Sequence, residues 1–148
     1  MILTLLCIGK VKDKFILSLC NEYLKRISFF NKFELIELKD SNQKNETKAI
    51  IEYVELHKDK LFILLDEKGD EYDSINFSKK INNYIQESKD VIFIISGAEG
   101  IEKSFKKYFK NKLSLSKFTF PHEFARLLIL EQIYRSLMII NNRNYHKE

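Results

Sequence analysis

VIFIISGAEG, residues 91–100, joins an unbroken run of β-branched, aliphatic and aromatic side chains to a turn with glycines three positions apart. Alternation of apolar and polar residues would mark a strand with one wet face. A continuous apolar run of this length marks a strand covered on both faces, as in a parallel sheet. Three other segments share the character, and with this one the strands are placed at 2–8, 33–38, 61–65 and 91–96.

Between them apolar residues recur at helical spacing: Phe15, Leu17, Leu19, Tyr23 and Leu24, then Ile50, Ile51, Val54 and Leu56, then Ile75, Phe77, Ile81, Tyr84 and Ile85. The order β-α-β-α-β-α-β predicts an α/β domain, a parallel sheet flanked by helices and joined by right-handed crossovers. Asp73 or Ser74 is a cap for the third helix, and EKGDEYDS, 67–74, reads as the turn before it. After residue 100 a helix through Ile101, Phe105 and Tyr108 is expected, then LSLSKFTF, 113–120, as a last strand and adjoining loop. Pro121, the one proline, opens a final helix to about Asn141. That helix is apolar on more than one face, which assigns it to the core or to a subunit interface.

The chain has 148 residues, 45% hydrophobic and 31% charged, which fits a single folded domain over 1–148 and excludes a disordered chain. Its net charge of +4 leans toward an anionic partner, although lysine beside abundant Asn, Ile and Phe also fits an AT-rich genome. A local excess is more informative: residues 103–117 carry Lys103, Lys106, Lys107, Lys110, Lys112 and Lys117 and no acid. Cys7 and Cys20 are too few for a disulfide framework or a metal site and read as buried, reduced thiols. MILTLLCIGK is too short to span a bilayer and lacks a signal peptide's basic start and cleavage site. A cytoplasmic protein is expected, without membrane or metal.

In open parallel sheets ligands bind beyond the carboxyl ends of the strands. There the Gly97–Gly100 turn lets a backbone approach a ligand closely, and equally serves as a tight strand-to-helix turn. No GxxxxGK[ST] loop is present, and CIGKVKDKF after the first strand has no GxGxxG, which argues against Rossmann dehydrogenases and Rossmann-type methyltransferases. Leu65 and Asp66 offer an apolar shelf and a polar contact at the same edge. His57, in ELHKDK, reads as solvated, whereas His122 at a helix start suits either anion and carbonyl contacts or simple packing. Arg126 and Arg135 lie nine residues apart, about half a turn at ~100° per residue, so one site holds both only if a second subunit contributes. In the tail, Arg143, Tyr145, His146 and Lys147 combine charge and rings suited to a phosphate and a base, or they fray.

FIISGAEG, LSLSKFTFPHEFAR, EQIYRSLMIINNRNYHKE and the opening CIGK together resemble the ribosomal RNA large-subunit methyltransferase H family, minimal SPOUT methyltransferases. The resemblance covers the whole chain. It implies a C-terminal trefoil knot, a homodimer, and S-adenosylmethionine as donor for methylating N3 of a pseudouridine in 23S rRNA on the assembled ribosome. Carried over by position, Leu65, Gly97, Ser116, Lys117, Phe118, Thr119, Phe120 and Pro121 form the cofactor pocket. His146, Tyr145, Arg126 and Arg135 are the catalytic candidates, and His122, Arg143 and Lys147 those for substrate. Where the family usually has two adjacent glycines, this chain has Ser96 and Gly97, and a modest change in the loop is expected. The competing readings are a methyltransferase of the same architecture acting on tRNA, and a non-catalytic ribosome-binding protein.

Overall fold

A computed structural model describes residues 1–147. Five parallel strands form one sheet in the order β2-β1-β4-β3-β5: β1 (Leu3–Ile8), β2 (Phe33–Leu38), β3 (Leu61–Glu71), β4 (Val91–Ile95) and β5 (Lys112–Ser114). The chain inserts β4 between β1 and β3, so the loops leaving β3, β4 and β5 converge at one edge.

Residue alternation along the strands divides the core in two. Leu3, Leu5, Val91, Phe93 and Ile63 face α1 (Lys14–Phe30), α3 (Ser74–Gln86) and α4 (His122–Ile140), meeting Ile27, Ile81, Ile129 and Ile133. Leu6, Ile8, Ile92, Ile94 and Leu64 face α2 (Gln43–Leu56), meeting Ile50 and Val54 together with Ile101 and Phe109. Each such side chain, fully buried, contributes roughly 1.5–3 kcal/mol.

Three local expectations need correction. Gly69 is not in a turn: β3 continues to Glu71 through an irregularity between Leu65 and Asp70. A β-carbon at Gly69 would stand 2.6 Å from the Lys112 carbonyl carbon, so its absence is what lets β5 approach. The helix expected through Ile101 is only a 3₁₀ helix, Lys103–Tyr108, because no side chain caps its start and Phe105 N–H bonds the Glu102 carbonyl. LSLSKFTF divides as expected into a strand, β5, and a loop, and Ser116 Oγ accepts Phe118 N–H where the chain turns away. On α1 the periodic set is only partly right: Tyr23 and Leu24 pack against the core, but Phe15, 83% exposed, Leu17 and Leu19 face outward, and Cys20 and Ile27 are the buried residues.

Of the two caps for α3, Asp73 serves, accepting Asn76 N–H at 2.7 Å. His57 is not free in solvent but stacks on Tyr53 with centroids 4.1 Å apart. Both cysteines are buried and free, and burial pushes the Cys7 thiol up to about 12.

Candidate active site

A cavity of about 730 Å³ opens beyond the carboxyl ends of β3, β4 and β5. Leu65 and Asp66 reach it from β3, the 96–100 turn from β4, and Ser116, Phe118, Thr119, Phe120 and Pro121 from the segment after β5. His122 and Ala125 on the first turn of α4 complete the wall. Lys117 is exposed and does not line it.

Local hydrogen bonds give this wall its shape. Ser114 Oγ donates to the Ser116 carbonyl at 2.9 Å, and Thr119 Oγ1 donates to Glu67 Oε2 at 2.6 Å. Asp66 accepts Lys68 N–H at 2.9 Å and pairs with Lys106 at 3.8 Å. Glu123 takes the backbone N–H groups of Lys12 and Asp13 at 3.3 and 3.2 Å, which seats the start of α4 beside the start of α1. Pro121 stands one residue ahead of α4, with extended ψ, at the junction of cavity wall and helix.

Arg126 lies elsewhere. Its side chain is 3% exposed, donating to Glu37 Oε2 at 2.6 Å and to the Gly9 carbonyl at 2.9 Å, at the ends of β2 and β1. Within one chain it joins α4 to the sheet and does not line the cavity.

A second cluster sits toward the far end of α4. Asn142, at φ +54°, ends the helix with Arg143 N–H bonded to the Met138 carbonyl at 2.8 Å, and this left-handed step folds the tail back. Glu131 Oε1 then accepts Arg135 Nε at 3.0 Å and Nη2 at 2.6 Å, together with the Tyr145 hydroxyl at 3.0 Å. The Arg135 guanidinium lies 4.8 Å from the Tyr145 ring centroid, and Tyr134 meets that ring edge-on at 4.9 Å. Burial, with Tyr23 and Glu131 as hydrogen-bond partners, raises the Tyr145 hydroxyl well above the usual phenol range.

His146 Nδ1 stands 3.1 Å from Arg135 Nη1. A guanidinium only donates, so Nδ1 accepts and the ring carries its proton on Nε2. Arg143 and Lys147 are exposed. The tail is thus docked through Tyr145 and His146, yet it is absent from the cavity wall. Thirteen residues of α4 separate His122 from Arg135, about 20 Å at ~1.5 Å per residue. Sequence reasoning missed Glu131, although its i,i+4 spacing to Arg135 is a legible signal.

Comparison with known proteins assigns this architecture. A family described as "Predicted SPOUT methyltransferase" matches residues 1–146. The chain belongs to the SPOUT methyltransferase family. Among its relatives are proteins named "Ribosomal RNA large subunit methyltransferase H" from Malacoplasma penetrans, 41% identical over 97% of this chain and 98% of the relative, and from Mycoplasmopsis synoviae, 42% identical over 99% and 100%. One of the same name from Fusobacterium nucleatum is 39% identical over 98% of this chain and 99% of its own.

A SPOUT methyltransferase requires a methyl donor, and the cavity is of a size to hold a small-molecule one. Its volume is within the range of roughly 300–1,000 Å³ typical of small-molecule sites. Apolar walls from Leu65, Leu113, Leu115 and Phe120 suit a flat ring, and the glycine turn lets ligand atoms approach the backbone. Ser96 does not adopt a positive φ, so a side chain is accommodated there without strain. Among the described residues no group of three or more His, Cys, Asp or Glu side chains is placed to hold a metal, and no helix is long and apolar enough to cross a membrane.

Proposed function

We propose that this SPOUT methyltransferase transfers a methyl group from S-adenosylmethionine to N3 of a pseudouridine in 23S rRNA on the assembled ribosome. The observation that carries the reading is the full-length similarity to proteins named for ribosomal RNA large-subunit methylation. The cavity supports it, because all but one of the residues that the family resemblance assigns to the cofactor line a single wall. A ribosome in the cytoplasm supplies much of its own recognition surface to a small catalytic fold.

S-adenosylmethionine supplies a methyl group already activated as a sulfonium. This chain's residues must bind and align the donor, hold the base, and accommodate loss of the N3 proton from between two carbonyls. His122, on the cavity rim, is suited to contact the base or its sugar. Tyr145 offers a stacking face and Arg135 a positive charge beside it, while exposed Arg143 and Lys147 suit phosphate. With Nδ1 occupied by Arg135, His146 presents Nε2–H, which orients a base carbonyl by donation rather than removing a proton. Arg126 enters as a positioning residue, since its guanidinium is engaged by Glu37 and Gly9.

The two clusters are brought together by a homodimer. Phe118, Phe124 and Leu128 are exposed around the start of α4, and Phe15 lies on the adjoining start of α1. Pairing of this apolar face across a two-fold axis would bury it and bring the partner's tail to the cavity.

The test is incorporation of labelled methyl into 70S ribosomes, isolated subunits, naked rRNA or tRNA from a strain lacking the protein. Label at one pseudouridine N3 in 70S ribosomes is expected. Label in tRNA alone would overturn the ribosomal reading, and no label in any substrate would favour a binding-only protein.

A further inference from the structure

Helix α2 contributes no side chain to the cavity wall, yet its first two turns hold the loop that does. Gln43 Nε2 donates to the Glu99 carbonyl at 2.9 Å, and Thr47 Oγ1 accepts Glu102 N–H at 3.1 Å. Between them Glu46 is 7% exposed and accepts Ser41 N–H at 3.3 Å. Its carboxylate presses on Gly97 so closely that a β-carbon there would collide with Oε1 and stand 2.9 Å from Oε2. Gln43, Glu46 and Thr47 lie within five residues of one helix, and their contacts fall at 97, 99 and 102 of one loop.

Two features show that this contact matters to the loop. Burying a carboxylate with little hydrogen bonding is costly, and among the described residues no lysine or arginine pairs with Glu46. Gly97 also lacks the positive φ that would otherwise explain a glycine, in contrast to Gly100 at +74°. A side chain at 97 would therefore require the end of the Glu46 side chain to move aside.

We propose that Glu46, flanked by Gln43 and Thr47, is a positioning residue that sets the shape of the 96–102 loop for the methyl donor. The proposal rests on the donor-binding reading of the cavity. A loop held at three points is pre-organised, so the donor does not have to order it on binding.

The experiment combines donor binding with a measurement that needs no donor. Calorimetry with S-adenosylmethionine and with S-adenosylhomocysteine, its uncharged-sulfur counterpart, is expected to show Glu46→Ala weakening both by about ten- to a hundredfold, the scale of a displaced positioning contact. Glu46→Gln, which keeps the shape and an acceptor, is expected to restore both. In steady state Glu46→Ala should raise KM for the donor with little change in kcat. Gly97→Ala should weaken binding alone, and less than additively in the Glu46→Ala background, where the obstructing carboxylate is gone.

Amide hydrogen exchange at 98–102 in donor-free protein should rise in Glu46→Ala and Thr47→Val. Wild-type affinity and wild-type loop exchange in Glu46→Ala would overturn the proposal, and so would a loss confined to S-adenosylmethionine, which would indicate a charge effect. Failure of the wild-type protein to bind either compound would overturn the donor reading instead, and loop exchange would still decide whether Glu46 holds the loop.

Discussion

Arg126 on α4 and Glu37 on β2 meet at 2.6 Å across 89 residues of chain, with the Gly9 carbonyl as the guanidinium's second acceptor. The contact ties the start of the last helix to the end of an edge strand. Removing the arginine leaves a carboxylate and a carbonyl without their donor. Because Glu37 keeps 27% of its side-chain exposure, water recovers part of the loss. Arg126→Met is therefore expected to cost about 2–3 kcal/mol, below the 3–5 typical of a fully buried pair. Urea denaturation measures this, and an unchanged midpoint would remove the pair from the fold's support.

Glu131 anchors the tail through Arg135 and the Tyr145 hydroxyl. Glu131→Ala should release it, reducing methyl transfer by at least tenfold, on the order of the loss for a displaced catalytic group. Donor affinity by calorimetry should stay near wild type, because Glu131 does not line the cavity. Deleting residues 145–148 should have the same two effects. Full activity in the truncated protein would show that the tail takes no part in transfer.

Gly69 faces the backbone of Lys112 with no space for a β-carbon. Gly69→Ala should displace β5 and lower stability by about 1–3 kcal/mol, as overpacking does. At this chain length that corresponds to a melting-temperature fall of roughly 2–4 °C per kcal/mol. A melting temperature equal to wild type would show that the two strands separate freely.

Cys7 stays protonated in the folded protein far above its usual titration, because burial pushes its thiol from 9.0 to about 12. As pH rises from 9.0 toward 12 the unfolded chain loses this proton and the folded chain retains it. The unfolded state then binds fewer protons, so stability falls with rising pH across that window and is fully present below it. Denaturation at a series of alkaline pH values should show a slope that is shallower in Cys7→Ala. Equal slopes would mean that the thiol contributes nothing.

The strand-helix order, β2 and the helix start after Pro121 were legible because each depends on local pattern: apolar runs, caps and one rigid φ. Gly69 was misread as a turn because glycine is an equally good signal for a turn and for close backbone approach, and only β5 distinguishes them. On α1 several periodic apolar residues proved to face outward, since periodicity finds a stripe without saying what covers it. Glu46 gave no signal at all, as a glutamate near a helix start is ordinary until Gly97 is found against it.

Local order in the sequence thus determined the class of fold, its parallel sheet and the residues available for chemistry, because backbone propensity and burial act over a few neighbours. Tertiary structure alone decided how those residues divide. It turned Arg126 inward to Glu37, docked Tyr145 and His146 on Glu131 and Arg135, and laid Glu46 against Gly97. These are contacts between parts of the chain brought together by strand order and helix packing, and no short-range pattern encodes which distant carboxylate a given side chain will meet.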